Sequence, residues 1–214
     1  MSSSRKTVII GAGGHAKVII DILRSMPQIE IVGCIDRSSI RSIMQVPVLG
    51  DDDLLPQLFH IGVEHAFVAI GDNRIRQRLA ERAAEIGFTL INAISPHANI
   101  SESASLGSGI AIMPGAIVNA EAVIDNYAVI NTSSSIDHEC RIGESCHVAP
   151  GSHLSGNVHV QEGAFLGTGT TVIDGIHIGA WTVIGAGSVV VRDIPAHCLA
   201  YGVPARILTQ QQPL

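Results

Sequence analysis

The stretch SSSIDHECRIGESCH, residues 133–147, holds His138 and His147 nine positions apart, Cys140 and Cys146 six apart, and the acidic Asp137 and Glu139 on either side of the first histidine. Imidazoles, thiols and carboxylates so close together serve one of three ends: ligands for a metal, acid–base groups of a catalytic site, or filler in a core. The elements that carry them decide which.

Composition narrows the setting. With 214 residues and 46% hydrophobic content the chain can bury a sizeable core. A formal charge of −6, a pI near 5.9 and no run of Lys or Arg leave no electrostatic footprint for nucleic acid or an anionic membrane. The apolar run before Gly11 is too short for a signal peptide, and no segment reaches about 18 uninterrupted apolar residues, so a cytoplasmic location is expected. Cys34, Cys140, Cys146 and Cys198 form no CxxC pair and read as free buried thiols. Aromatics at 3% point to a narrow interior built from small and β-branched side chains.

Two halves follow different rules. Residues 7–92 alternate apolar runs with amphipathic ones. Strands are predicted at 7–10, 30–36, 66–70 and 88–92, and helices at 15–26, 52–59 and 73–87. The first helix is expected to bury Val18, Ile19, Ile22 and Leu23, and the last to end at Gly87 as its C-cap. This is a small parallel α/β domain, placed at residues 1–92.

From Ile94 a period of six takes over. All seventeen positions from 94 to 190 in steps of six are Ile, Leu or Val. Four positions after each, the residue is usually Ala, Ser, Thr or Cys, and prolines 96, 114 and 150 all fall two positions after the aliphatic one. Of thirteen glycines between 94 and 193, twelve fall one or three positions after it. A helix repeats every 3.6 residues and a flat strand every two, so a sustained six calls for a coil of three short strands with turns between them. The pattern resembles the hexapeptide repeat of left-handed parallel β-helices, placed here at residues 93–195 with a tail at 196–214. Three repeats per coil stack to roughly 25 Å at about 4.8 Å per coil. The end of that tail, 209–214, carries no repeat and is expected to fray.

The register sorts the opening motif. Cys140 and Cys146 take the small inward position on neighbouring faces, which makes them filler and argues against zinc. A zinc-dependent carbonic anhydrase on the same coil uses two ligand histidines five apart, and the repeats hold no such pair. His138 falls at a turn, outside the core. One coil later on the same edge is Gly156, the single exception to the glycine rule, and its missing side chain leaves a slot beside the imidazole. His153, His159 and His177 read as solvated side chains.

Four segments together, VIIGAGGHAKV, AIGDNRIRQRL, INTSSSIDHECRIGESCHVAPGSHLSGN and YGVPARIL, make the whole chain resemble a family of bacterial sugar acetyltransferases. These join a small nucleotide-sugar-binding domain to a left-handed β-helix; the pilin and flagellar glycosylation acetyltransferases, perosamine N-acetyltransferases and the sialic acid O-acetyltransferase group typify them. The resemblance implies that His138 is the general base and that Glu139 raises its basicity. It implies that His147 contacts the acetyl-CoA thioester, that Gly156, Thr168 and Ala186 line that co-substrate, and that homotrimers place the site between subunits. An imidazole with pKa near 6.5 suits the removal of a proton from an attacking amine.

GAGGHA (11–16) fits G-x-G-x-x-A between a strand and a helix, with Asp36 ending the next strand. Four strands supply only one mononucleotide half of a dinucleotide fold, so a nucleotide-sugar fits better than NAD. By resemblance Gly13, Gly14 and His15 approach the diphosphate or sugar, Asp36 and Arg37 the nucleoside, and Gly71 belongs to the loop after the third strand. Asp72 and Asn73 also read as an ordinary N-cap. The expected activity is acetyl-CoA-dependent N-acetylation of a nucleotide-linked 4-amino-4,6-dideoxyhexose, with a UDP-linked bacillosamine precursor first and GDP-perosamine next, without a metal. A sialic acid O-acetyltransferase and a non-catalytic nucleotide-binding scaffold are the rivals.

Overall fold

A computed structural model describes residues 4–210, and the chain divides into two compact units between Pro96 and His97. In the first unit β1 (Arg5–Ile10), α1 (Gly14–Arg24), β2 (Ile29–Ile35), β3 (Ser42–Ile43), β4 (Val46–Gly50), α2 (Leu55–His60), β5 (His65–Val68), α3 (Asn73–Ile86) and β6 (Thr89–Leu90) follow one another. Six strands make one sheet in the order β3-β4-β2-β1-β5-β6, parallel except for β3 against β4. Three of the apolar runs read from the sequence are the central strands β1, β2 and β5, where Val8, Ile9, Cys34 and Ala66 have no exposed surface, and the fourth is the edge strand β6.

Helix α1 buries Ala16, Ile19, Ile20, Ile22 and Leu23. Val18, expected on that face, is 38% exposed; at about 100° per residue it sits roughly 130° from the centre of the buried stripe. Helix α3 starts on Asp72, whose side chain accepts from Ile75 N–H at 2.9 Å. It ends at Gly87 with φ 117°, where a Cβ would stand 2.7 Å from the Phe59 ring. The hairpin β3–β4 had no sequence forecast. Its turn residues Met44 and Gln45 both have positive φ, 48° and 67°, without the Asn or Gly that normally marks such a turn.

The second unit is a left-handed β-helix, a coil of two-residue strands in three parallel sheets. Sheet I holds Ala111–Ile112, Val129–Ile130, His147–Val148, Phe165–Leu166 and Val183–Ile184. Sheet II runs from Asn99–Ile100 through Ser135–Ile136 and His153–Leu154 to Val189–Val190, and sheet III from Ser105–Leu106 through Arg141–Ile142 to His177–Ile178. Within the hexads, neighbouring strands of a sheet pair in register eighteen residues apart, and the hexad aliphatics from Ile112 to Val190 point inward with at most 2% exposure.

Small inward residues finish the core by satisfying turn carbonyls. Ser134 donates to Asn131 O at 2.6 Å, Thr170 to Gly167 O at 2.6 Å and Cys140 Sγ to Ser155 O at 3.1 Å. From Gly109 to Gly187 the turn residue three past the aliphatic is left-handed whether or not it is glycine: Gly151 has φ 65°, and Ser133, Glu139 and Asn157 have φ 54°, 59° and 53°. Its N–H bonds to the carbonyl one coil back, as Asn157 does to His138 at 2.9 Å, and this stacks the edges.

Beyond the hexads, Cys198–Gly202 joins sheet I beside Val183–Ile184 and pairs antiparallel with Ala205–Gln210. Thr209 and Gln210, expected to fray, belong to this hairpin; 211–214 lie outside the described residues. No helix among the described residues is long and apolar enough to cross a membrane.

Candidate active site

The edge between sheets II and III carries the candidate base. His138 sits two residues past Ile136 with its side chain 56% exposed, and its Nδ1 lies 3.1 Å from Glu139 Oε2. The flanking acids have different tasks. Glu139 reaches the ring, whereas Asp137 Oδ1 accepts from Asn119 Nδ2 at 2.9 Å and from the His138 backbone N–H at 2.7 Å. Asn119 and then His138 hold the Asp137 carboxyl below the usual carboxylate range. Asp137 therefore fixes the turn on which His138 stands.

Gly156 lies directly beneath the far end of the imidazole: a Cβ there would come 2.6 Å from His138 Nε2 and 3.0 Å from Asp174 Oδ1. Steric room, not a special φ, is what this glycine supplies, because it is absent from the positive-φ residues of the described chain.

His147 occupies the strand phase expected of an outward residue, yet it is only 8% exposed. Its ring meets Phe165 edge-on at 5.1 Å, one coil further along sheet I. Asn131 Nδ2, a donor only, lies 3.0 Å from Nε2, so that nitrogen accepts and the ring proton sits on Nδ1. Asn131 was not singled out from the sequence, where it is one more turn residue after an aliphatic position. Thr168 and Ala186 are exposed on the edge between sheets I and II, stacked through a bond from Gly187 N–H to Thr168 O of 2.8 Å.

One chain thus brings His138, Glu139 and Gly156 together on one edge and sets His147, Thr168 and Ala186 along sheet I and its edge with sheet II. The width of sheet II, six residues or roughly 15 to 20 Å of chain, separates the two edges. Cys140 and Cys146 are fully buried, and burial pushes the Cys140 thiol up to about 11. Among the described residues no three His, Cys, Asp or Glu side chains converge as metal ligands.

In the first unit, Gly11 brings the backbone against the chain just past β5: a Cβ would be 2.8 Å from Ala69 O. Gly13 and Gly14 are exposed with open space at their Cβ positions, and Gly13 starts α1 with no side-chain cap and no acid in the first turn. These bare helix-start N–H groups suit an anion such as a diphosphate. Gly71 also faces open space. His15 has its Nε2 buried without a hydrogen-bond partner among the described residues. Burial, then the charge of Arg76, lowers its pKa to about 4, so the ring is neutral at pH 7 and can accept a ligand hydrogen.

Asp36 is a latch. Its Oδ2 accepts from Ala12 N–H at 2.7 Å and its Oδ1 from Ser38 N–H at 2.8 Å, tying the glycine loop to the end of β2. Desolvation pushes this carboxyl up, but the Ser38 and Ala12 donors outweigh it and the net shift is downward. Beside it opens a cavity of about 260 Å³, walled by Ile35, Ile70, Ile75 and Leu79, with Arg37 and Arg78 among its polar groups. Asp52, 9% exposed at its side chain, grips Arg37 Nε at 2.8 Å and Nη2 at 3.1 Å and also takes Arg82 Nη1 at 2.6 Å. The sequence reading named Asp36 and Arg37 but missed Asp52, Arg78 and Arg82. Ile75, Arg78 and Leu79 share one face of α3 at i, i+3, i+4 spacing, a signal that was present in the sequence.

Comparison with known proteins gives the family. The PglD N-terminal domain family matches residues 6–83. PerB from Caulobacter crescentus, solved with CoA and GDP-perosamine, is 50% identical over 95% of this chain and 97% of its own, with a TM-score of 0.92. The acetyltransferase domain of PglB from Neisseria gonorrhoeae is 35% identical over 96% of this chain and 100% of its own, with a TM-score of 0.90. Among curated relatives, the dTDP-3-amino-3,6-dideoxy-alpha-D-galactopyranose 3-N-acetyltransferase of Aneurinibacillus thermoaerophilus is 50% identical over 52 residues, 24% of this chain and 27% of that protein. The chain therefore spans about a quarter of the length of the curated relatives it matches. On the full-length likenesses, the chain belongs to the acetyl-CoA-dependent sugar acetyltransferases of the hexapeptide β-helix family.

Proposed function

We propose that this protein moves an acetyl group from acetyl-CoA to the 4-amino group of a nucleotide-linked 4-amino-4,6-dideoxyhexose. The observation that carries the proposal is the slot at His138: a base backed by a carboxylate on Nδ1, with its Nε2 end open above a residue that has no side chain. In this reading the diphosphate lies at the bare start of α1, near Gly13, Gly14 and His15. The nucleoside enters the cavity beside Asp36 and Arg37, next to the loop of Gly71.

His138 Nε2 takes a proton from the amine as the nitrogen attacks the thioester carbonyl carbon. Glu139 favours the imidazolium so formed. The oxygen that gathers negative charge is assigned a donor such as the His147 imidazole or a backbone N–H. As the C–S bond breaks, His138 returns the proton to sulfur. Thr168 and Ala186, small and exposed, are assigned to the co-substrate alongside Gly156. Because the base and the thioester group stand on different edges of one coil, we read the working unit as a homotrimer in which one copy supplies His138, Glu139 and Gly156 and its neighbour the rest. The soluble co-substrates of this reading place it in the cytoplasm.

GDP-perosamine now leads the UDP-linked bacillosamine precursor as substrate, supported by the 50% identity with a protein solved with that sugar nucleotide. Acetyl-CoA assays with GDP- and UDP-linked amino sugars, against free sialic acid, test the proposal. N-acetylated product is expected, with turnover at least ~100-fold lower in His138→Ala. Product from sialic acid alone makes the protein an O-acetyltransferase, and nucleotide binding without CoA binding makes it a scaffold.

A further inference from the structure

The imidazole of His138 has two ends, and each has an acid beside it. Glu139 Oε2 stands 3.1 Å from Nδ1. At the other end, the space above Gly156 is shared: a point one Cβ away from that glycine is 2.6 Å from His138 Nε2 and 3.0 Å from Asp174 Oδ1. Asp174 is eighteen residues past Gly156 on the same edge, and Gly175 N–H bonds Gly156 O at 3.0 Å, which sets the spacing of the two turns. Its exposed carboxylate is an acceptor only. An acid at a turn is unremarkable in sequence, and only the shared slot gives this one a part in the chemistry.

We propose that Asp174 determines which acceptor the site acetylates, holding an amine against His138 Nε2 and selecting nitrogen over oxygen. This rests on the acetyl-transfer reading above. A sugar amine arrives largely as ammonium, with three N–H donors, and gives up one proton to solvent to become a nucleophile. When its lone pair forms the C–N bond, the nitrogen turns positive while the thioester oxygen turns negative. His138 Nε2 removes the second proton, the C–S bond breaks, and the thiolate leaves with the proton that His138 held. Asp174 accepts a hydrogen bond from the remaining N–H and stabilises the positive nitrogen through the step. A hydroxyl has one proton, which His138 must take, and the oxygen left behind carries negative character. Beside it the Asp174 carboxylate is a like charge, so the same residue that favours nitrogen disfavours oxygen.

The test uses the full chain with acetyl-CoA and two acceptors: a GDP-linked 4-amino-4,6-dideoxyhexose and the matching sugar nucleotide with a 4-hydroxyl. Asp174→Asn keeps the shape and removes the charge. The expected result is a fall of about 10- to 100-fold in kcat/KM for the amine, the loss typical of a hydrogen bond to a charged group. Activity on the hydroxyl sugar should be equal or higher, KM for acetyl-CoA unchanged, and Asp174→Glu should recover part of the amine activity. A purely structural residue would lower both acceptors together. Asp174→Asn acetylating the amine within threefold of wild type, or losing both acceptors equally, overturns the inference and leaves acetyl transfer standing. A wild-type chain that acetylates no amino sugar overturns the acetyl-transfer reading and the inference with it.

Discussion

A methyl group at position 156 would strike the His138 ring and crowd Asp174, so Gly156→Ala has to push the imidazole from its place. Turnover is expected to fall at least ~10-fold, since misplacing a reacting group by about 1 Å costs up to 100-fold. The melting temperature should hardly move, because the residue is exempt from the left-handed turn positions. Steady-state kinetics and a thermal scan of that one variant check both halves. At this scale the sequence was legible wherever a residue broke its column: Gly156 stood out as the glycine in the wrong phase, and His138 stood out beside it. Asp174 and Asn131 obeyed their columns and gave no sign. The burial of His147 was equally hidden, because outward phase on a strand does not say what covers the face.

Among the elements, the loop after β2, helix α3 and the segment between β4 and α2 meet at Asp52, whose carboxylate is shared between Arg37 and Arg82. Asp52→Asn keeps the shape but removes the charge that grips Arg37 in two places. Nucleoside diphosphate binding should weaken about 10-fold while CoA binding stays as it was, in line with the loss of one charged hydrogen-bonded pair. Calorimetry with GDP, UDP and CoA reads this directly. Most elements of the first unit were visible from apolar runs and from Asp72 and Gly87, a cap at each end of α3. The β3–β4 hairpin was not, because Met44 and Gln45 hold a left-handed turn without the residues that advertise one. The Asp52 contacts were hidden for a different reason: they join positions 15 and 30 residues apart, beyond any local pattern.

For the molecule as a whole, the hexad period made the β-helix readable from residue types alone, while the hairpin of Cys198–Gln210 escaped because it lies outside the repeat. The placement of the two site groups on different edges yields a prediction at this scale. Copies carrying His138→Ala and copies carrying His147→Ala, each nearly inactive, should recover activity when unfolded and refolded together, as sites form that draw one intact residue from each copy. Mixtures no more active than their parents would assign both histidines to one subunit. A last consequence follows from the two periods in this coil. The interior repeats every six residues, but neighbours along an edge, such as His138 and Gly156, repeat every eighteen. Losing the hexad Arg141–Cys146 would leave every aliphatic residue facing inward and still carry Gly156 round to another edge, away from His138. The core keeps a reading frame of six and the site one of eighteen, so lineages of this fold can lengthen or shorten by half-measures that preserve the solid while erasing the enzyme.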